Sequence, residues 1–65
     1  MEPKFDIPVR LIGQDGNAFA IIGRVTRAMR NNGCTSEDVN TFLTEATSGD
    51  YDHLLRTVMA TVVVE

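Results

Sequence analysis

The chain has 65 residues, with six Lys and Arg against nine Asp and Glu, a net charge of −3 and 43% hydrophobic residues. A chain of this length forms one small domain, residues 1–65, that buries only about 60% of its unfolded surface, so we expect a tightly packed core or self-association to stabilise it. One cysteine and one histidine exclude an internal disulfide and a four-ligand zinc site, and we expect neither a metal nor a cofactor.

The sequence shows no targeting or membrane-spanning pattern. Its apolar runs are all shorter than the roughly 20 residues of a membrane span, and Glu2–Asp6 lacks the apolar core of a signal peptide. With the free Cys34, these features predict a cytoplasmic protein that does not bind membranes. The charge is +2 in residues 1–33 and −5 in residues 34–65. The two halves could dock on each other, although a solvated surface is the simpler interpretation.

The first predicted element is a strand in which apolar residues alternate with polar residues and Pro8. This period of two is typical of a strand with one buried face. Because Pro8 has no N–H, it places the strand at the edge of a sheet. The apolar positions are Phe5, Ile7, Val9 and Leu11.

The first predicted helix runs from Ala18 to Asn31. It follows the turn residues Gly13–Asn17, with Asn17 as the N-cap and Gly33 as the left-handed residue after its end. Its apolar stripe is wide, so we expect the helix to pack on more than one side. The stripe consists of Ala18, Phe19, Ile21, Ile22, Val25, Thr26, Ala28 and Met29.

Two shorter helices follow, with Thr35 and Asp50 as their N-caps. Each has apolar residues at helical spacing. These are Val39, Phe42, Leu43 and Ala46 in the second helix, and Tyr51, Leu54, Leu55, Val58 and Met59 in the third. The β-branched run Thr61–Val64 predicts a closing strand. The sequence therefore predicts an α+β fold of order β-α-α-α-β, with three helices on one face of a two-stranded sheet.

Three groups of polar residues invite a chemical interpretation, and each has a simpler structural one. The Gly13–Asn17 loop lacks the Lys and Ser/Thr of a phosphate-binding loop, and Asp15 would repel an anion, which favours a structural turn. In the segment Asp50–His53, capping occupies Asp50, and His53 lies about 160° from Tyr51 around the helix, so we expect it to face solvent. Cys34 follows a helix end and is expected to pack back on it. We therefore predict no catalytic residue and no enzymatic activity.

The residues that most suggest a function are Arg24, Arg27 and Arg30, which we call the arginine face. They share about a third of the helix circumference with Ala20 and Gly23, small residues that would let another surface approach closely. A face that meets only water, an acidic protein partner and a phosphate backbone are three open interpretations. Structural pairing of the arginines with acids of the second helix, such as Glu37, is a fourth.

Two segments are distinctive: Gly13–Ile21, which reads GQDGNAFAI before the arginine helix, and Ala46–Leu55, which reads ATSGDYDHLL. With the Val-rich end, they resemble a family of small uncharacterised bacterial and bacteriophage proteins. The resemblance covers most of the chain and implies a small accessory protein carried by bacteria or mobile elements. It implies no activity, cofactor or catalytic residue.

The sequence as a whole favours a non-catalytic protein-interaction module. Because a two-stranded sheet is barely stable alone and its edges can pair with another chain, we expect a homodimer that extends or stacks the sheets. The alternative is a weak nucleic-acid-binding regulator that uses Arg24, Arg27 and Arg30. The overall acidity and the lack of stacking aromatics argue against it.

Overall fold

A computed structural model describes residues 2–13 and 16–65 of the chain. The elements follow the order β1 (Pro8–Val9), α1 (Ala18–Asn31), α2 (Ser36–Ala46), α3 (Tyr51–Thr61) and β2 (Val63–Val64). The strands pair in parallel, with Pro8 opposite Val63 and Val9 opposite Val64. Three helices packed against a small two-stranded sheet confirm the predicted α+β architecture. Within the described ranges, no helix is long and apolar enough to cross a bilayer.

The sheet continues beyond its two paired residues through hydrogen bonds of the flanking chain. The Val63 N–H donates to the Ile7 carbonyl over 2.9 Å, and the Glu65 N–H donates to the Val9 carbonyl over 2.8 Å. Alternate residues of a strand direct their backbone groups to opposite sides. Pro8 therefore faces away from β2, which confirms the prediction that this strand borders the sheet on the side where Pro8 lacks a donor.

The helix ends follow the capping chemistry that the sequence predicts. Asn17 accepts a hydrogen bond from the Phe19 N–H, and Thr35 forms a reciprocal capping box with Asp38. Gly33 has a φ of 85°, a left-handed conformation that glycine adopts without a steric penalty. The Cys34 N–H donates to the Met29 carbonyl over 3.0 Å, which completes a Schellman motif after α1.

The core lies where the helices meet the sheet. Helix α1 packs against α2, α3 and β1, which confirms the prediction that it is covered on more than one side. Cys34 is half-buried against the core, as its position after the glycine cap predicts. The buried apolar residues are Ile7, Val9, Ile21, Val25, Met29, Val39, Phe42, Ala46, Leu54, Val58 and Val62.

The buried arc of α3 differs from the predicted one. It includes Thr57 and Thr61, whose hydroxyls donate to the carbonyls of the residues four positions earlier, His53 and Thr57. These bonds let the two threonines enter the core without an unpaired polar atom. The arc is therefore rotated relative to the predicted stripe. Thr61 ends α3, although the β-branched run predicted it in the closing strand.

Candidate functional site

Among the described residues, four large apolar side chains are exposed on the surface. Ile12 is 75% exposed, Phe19 86%, Tyr51 46% and Met59 56%, and we call these four residues the apolar face. The sequence predicted Phe19, Tyr51 and Met59 on buried stripes, and for these three residues the prediction is wrong. Phe19 lies about 120° from Val25 around α1, beyond the part of the helix that meets the core.

The apolar face borders a cleft of about 240 Å³ between α3 and the end of the sheet. Ile12, Tyr51 and Met59 line this cleft, and most of its other lining residues are apolar. The remaining lining residues are Leu11, Gly16, Ile21, Leu55, Val58 and Val64. We call this feature the apolar cleft. A site of this composition binds apolar groups by excluding water and offers few polar groups for chemistry.

Tyr51 connects the two halves of the apolar face. It lines the apolar cleft on one side, and on the other side it lines a second depression together with Phe19. Its hydroxyl donates to the Gly16 carbonyl, which ties the segment before α1 to the start of α3. The exposed aromatic surface is thus held in position by a contact between residues far apart in the sequence.

The arginine face lies on the exposed side of α1. Arg24, Arg27 and Arg30 are all exposed, and Gly23 between them is exposed as well. Arg24 already interacts with another part of the chain. Among the described residues, neither Arg27 nor Arg30 forms an ion pair.

Among the described residues, no acid of α2 pairs with Arg27 or Arg30, and two of the three acids, Asp38 and Glu45, have other partners. Asp38 accepts the Thr35 N–H in the capping box over 3.1 Å. Glu45 pairs with His53 at 2.8 Å. Arg27 and Arg30 therefore form no ion pair with an acid of α2 in the described part of the chain, and their guanidinium groups could contact another molecule.

His53 lies between α2 and α3, where its side chain is 38% exposed and also contacts polar groups that the sequence did not predict. Its Nε2 atom lies 2.8 Å from a carboxylate oxygen of Glu45 and 3.2 Å from the Ser48 hydroxyl. We call these three residues the Ser–His–Glu clasp. Because the buried arc of α3 extends to Thr57, His53 falls at the margin that meets the end of α2. No spacing rule predicts this contact, since it crosses the turn between two helices.

The clasp does not have the geometry of a catalytic triad. In a triad, the base takes the serine proton at one ring nitrogen while the acid holds the other nitrogen. Here the serine and the carboxylate meet the same nitrogen, and the Ser48 hydroxyl also lies 2.7 Å from the Glu45 carbonyl. The hydrogen bonds from His53 and Ser48 and the charge of His53 hold the pKa of Glu45 below its ordinary value of 4.5. The arrangement links two helices and leaves no activated nucleophile.

The other groups that the sequence singled out have structural positions. Asp50 caps α3 by accepting the His53 N–H over 2.9 Å. Asp15 and Gln14 lie outside the described residues, so the predicted turn is described only at its ends. In the part of the chain that the structure covers, no three His, Cys, Asp or Glu side chains gather in a metal-binding arrangement.

Comparisons of the chain with protein-family models, with curated proteins and with solved structures found no match. Any statement about function therefore rests on the surface chemistry of this chain.

Proposed function

We propose that this protein is a non-catalytic protein-interaction module that binds its partner through the apolar face. One observation carries the proposal: four large apolar side chains are 46–86% exposed, three of them line the apolar cleft, and the fourth, Phe19, lines the adjoining depression that shares Tyr51. Single exposed apolar residues are common on soluble proteins, but a contiguous group with polar residues around it is typical of an interface. Aromatic and methionine side chains are also the residues enriched in interface cores.

Comparative affinity capture tests this proposal. The wild type, a Phe19→Ser variant and a Thr44→Ser variant are immobilised and exposed to lysate of the host cell. Thr44 is exposed on α2 and is not one of the residues that line the apolar cleft, so its variant is the matched control. We expect a discrete protein that the wild type and the control retain and the Phe19 variant loses. Identical capture by all three baits would contradict the proposal.

The second candidate function is weak nucleic-acid binding through the arginine face. The observation that favours it is the exposure of Arg24, Arg27 and Arg30 on one side of α1. Phosphate-driven binding weakens as salt rises, with a slope of about −0.9 per neutralised phosphate on duplex DNA. Gel-shift assays at low and moderate salt test it. A shift that disappears with salt and with all three arginines changed to Gln supports this candidate, and no shift at low salt rejects it.

A further inference from the structure

Phe19 and the apolar cleft are complementary features that lie on either side of Tyr51. The side chain of Phe19 is 86% exposed, so it projects from α1 with little cover from its own chain. The cleft measures about 240 Å³, and an apolar cavity of about 150 Å³ holds a benzene molecule. A phenyl ring therefore fits the cleft by volume.

The position of the two features favours a second copy of this chain as the occupant. They lie on either side of Tyr51, which contacts the surroundings of both. In a two-fold symmetric interface, the same patch is used by both partners, so a projection must meet a recess beside it. Two copies related by an axis near Tyr51 would each place Phe19 at the cleft of the other.

The charges around the two features are also complementary. Arg30 lies about three turns from Phe19 on nearly the same side of α1, and Arg27 lies one turn before it, whereas Asp50 lines the depression beside Phe19 itself. Asp52 lies on the same side of α3 as Met59, and Glu65 directly follows Val64 at the cleft. Docking α1 of one copy on the cleft of another therefore brings cations towards anions, which favours correct association and suppresses wrong partners.

The area that a stable dimer requires points to the same extended surface. A standard interface covers about 800 Å² per partner, roughly a fifth of the 4428 Å² surface of this chain. The interface must therefore extend beyond the four apolar side chains onto the arginine face. Gly23, whose missing Cβ would meet no atom within 4 Å, lies between Phe19 and Arg27 and allows a close approach there.

From these observations we infer that the protein forms a symmetric homodimer in which Phe19 of each copy inserts into the apolar cleft of the other. The inference rests on the proposed function and names the partner. It places the dimer on the faces of α1 and α3. The edges of the sheet offer few backbone hydrogen bonds to a second copy, because β2 has only two paired residues and Pro8 removes a donor from the outer side of β1.

A mixing experiment tests the insertion directly by sedimentation equilibrium at tens of micromolar. Phe19→Ala removes the projection and keeps the cleft, whereas Leu55→Trp fills the cleft and keeps the projection. Each variant alone should lose about 30-fold or more in dimer affinity, as expected for an interface hot spot. Mixed, they should form a heterodimer, because one Phe19 can still enter one open cleft. Circular dichroism checks that both variants fold.

Two further variants separate this dimer from other assemblies. Gly23→Gln improves helix propensity in α1, so it should keep the chain folded by circular dichroism while it weakens the dimer. Arg10→Pro removes a donor from the outer edge of the strand at β1, lies outside the lining of the apolar cleft and should leave the dimer intact. A dimer lost only with Arg10→Pro, or a mixture of Phe19→Ala and Leu55→Trp that stays monomeric, overturns the inference.

A wild type that sediments only as a 7.2 kDa species also overturns the dimer. Affinity capture then tests the proposed function independently of the dimer. If affinity capture still yields a protein whose retention depends on Phe19, the apolar face binds another protein. If it yields none, both proposals fail.

Discussion

At the scale of single residues, the threonines of α3 decide which side chains are exposed. Thr57 is 8% exposed and Thr61 is 9% exposed, although both are polar. The stripe that the sequence predicts for α3 leaves out both threonines and therefore has Tyr51 at its centre. Because each hydroxyl bonds to a helix carbonyl, the buried arc shifts, and Tyr51 and His53 move to its opposite margins. The candidate surface depends on this shift, which a hydrophobic pattern does not contain.

The Ser–His–Glu clasp predicts a specific dependence of stability on pH. The folded state lowers the pKa of Glu45 below 4.5, so the clasp contributes its full stability above that ordinary value. The contribution is lost as the pH falls through the lowered pKa. Urea unfolding from neutral to acidic pH should show wild type more stable than Glu45→Gln, with a difference that vanishes at acidic pH. A difference that stays constant with pH would contradict this role.

Gly49 is required where the clasp approaches the turn before α3. A Cβ at this position would lie 2.9 Å from the Cβ and Cγ atoms of His53, closer than such contacts allow. Gly49→Ala should therefore displace the imidazole from Glu45 and destabilise the fold by about 1–3 kcal/mol, as other overpacking substitutions do. Thermal and urea denaturation measure the effect. Unchanged stability would show that His53 can move without loss.

At the scale of elements, the helices were predictable and the strands were predictable only in part. The α1 bounds, its Asn17 cap and the Gly33 end follow from local capping chemistry, which acts within a few residues. The strands are shorter than the sequence predicts, because β pairing depends on a partner far away along the chain. The apolar residues on either side of β1 still contribute, since Ile7 is buried and Leu11 is half-buried.

Helix α1 contains a glycine that its own fold does not require. Gly23 is exposed in the helix interior, and an added Cβ would meet nothing within 4 Å. Gly23→Ala should therefore stabilise the protein by about 0.5–1 kcal/mol through the lower backbone entropy of its unfolded chain. Differential scanning calorimetry measures this gain. A lower melting temperature would mean that the fold requires glycine at position 23.

At the scale of the whole molecule, the candidate surface combines residues from separate segments. The sequence predicted the arginine face from its spacing on α1, and the structure shows those residues exposed. The sequence could not predict the apolar face, because Ile12, Phe19 and Met59 come from three separate segments. The folded chain brings Ile12 and Met59 to the apolar cleft and Phe19 to the depression on the other side of Tyr51.

Arg27 and Arg30 should matter for association and not for folding. Changing both to Gln should leave the melting temperature nearly unchanged, since surface substitutions alter stability by about 0.5 kcal/mol or less each. Binding to the partner should weaken, mainly through a slower association rate that depends on salt. Stopped-flow association kinetics measure this. An unfolded double variant would show that these arginines stabilise the fold.

Photo-crosslinking in cells tests the central claim, that the apolar face is covered by another protein surface. p-Benzoylphenylalanine replaces Phe19 in one variant and Thr44 in a matched control. The account predicts one discrete adduct from position 19 and none from position 44, and an adduct of twice the 7.2 kDa chain mass identifies a second copy. No adduct from position 19, or the same adducts from both positions, would contradict the account.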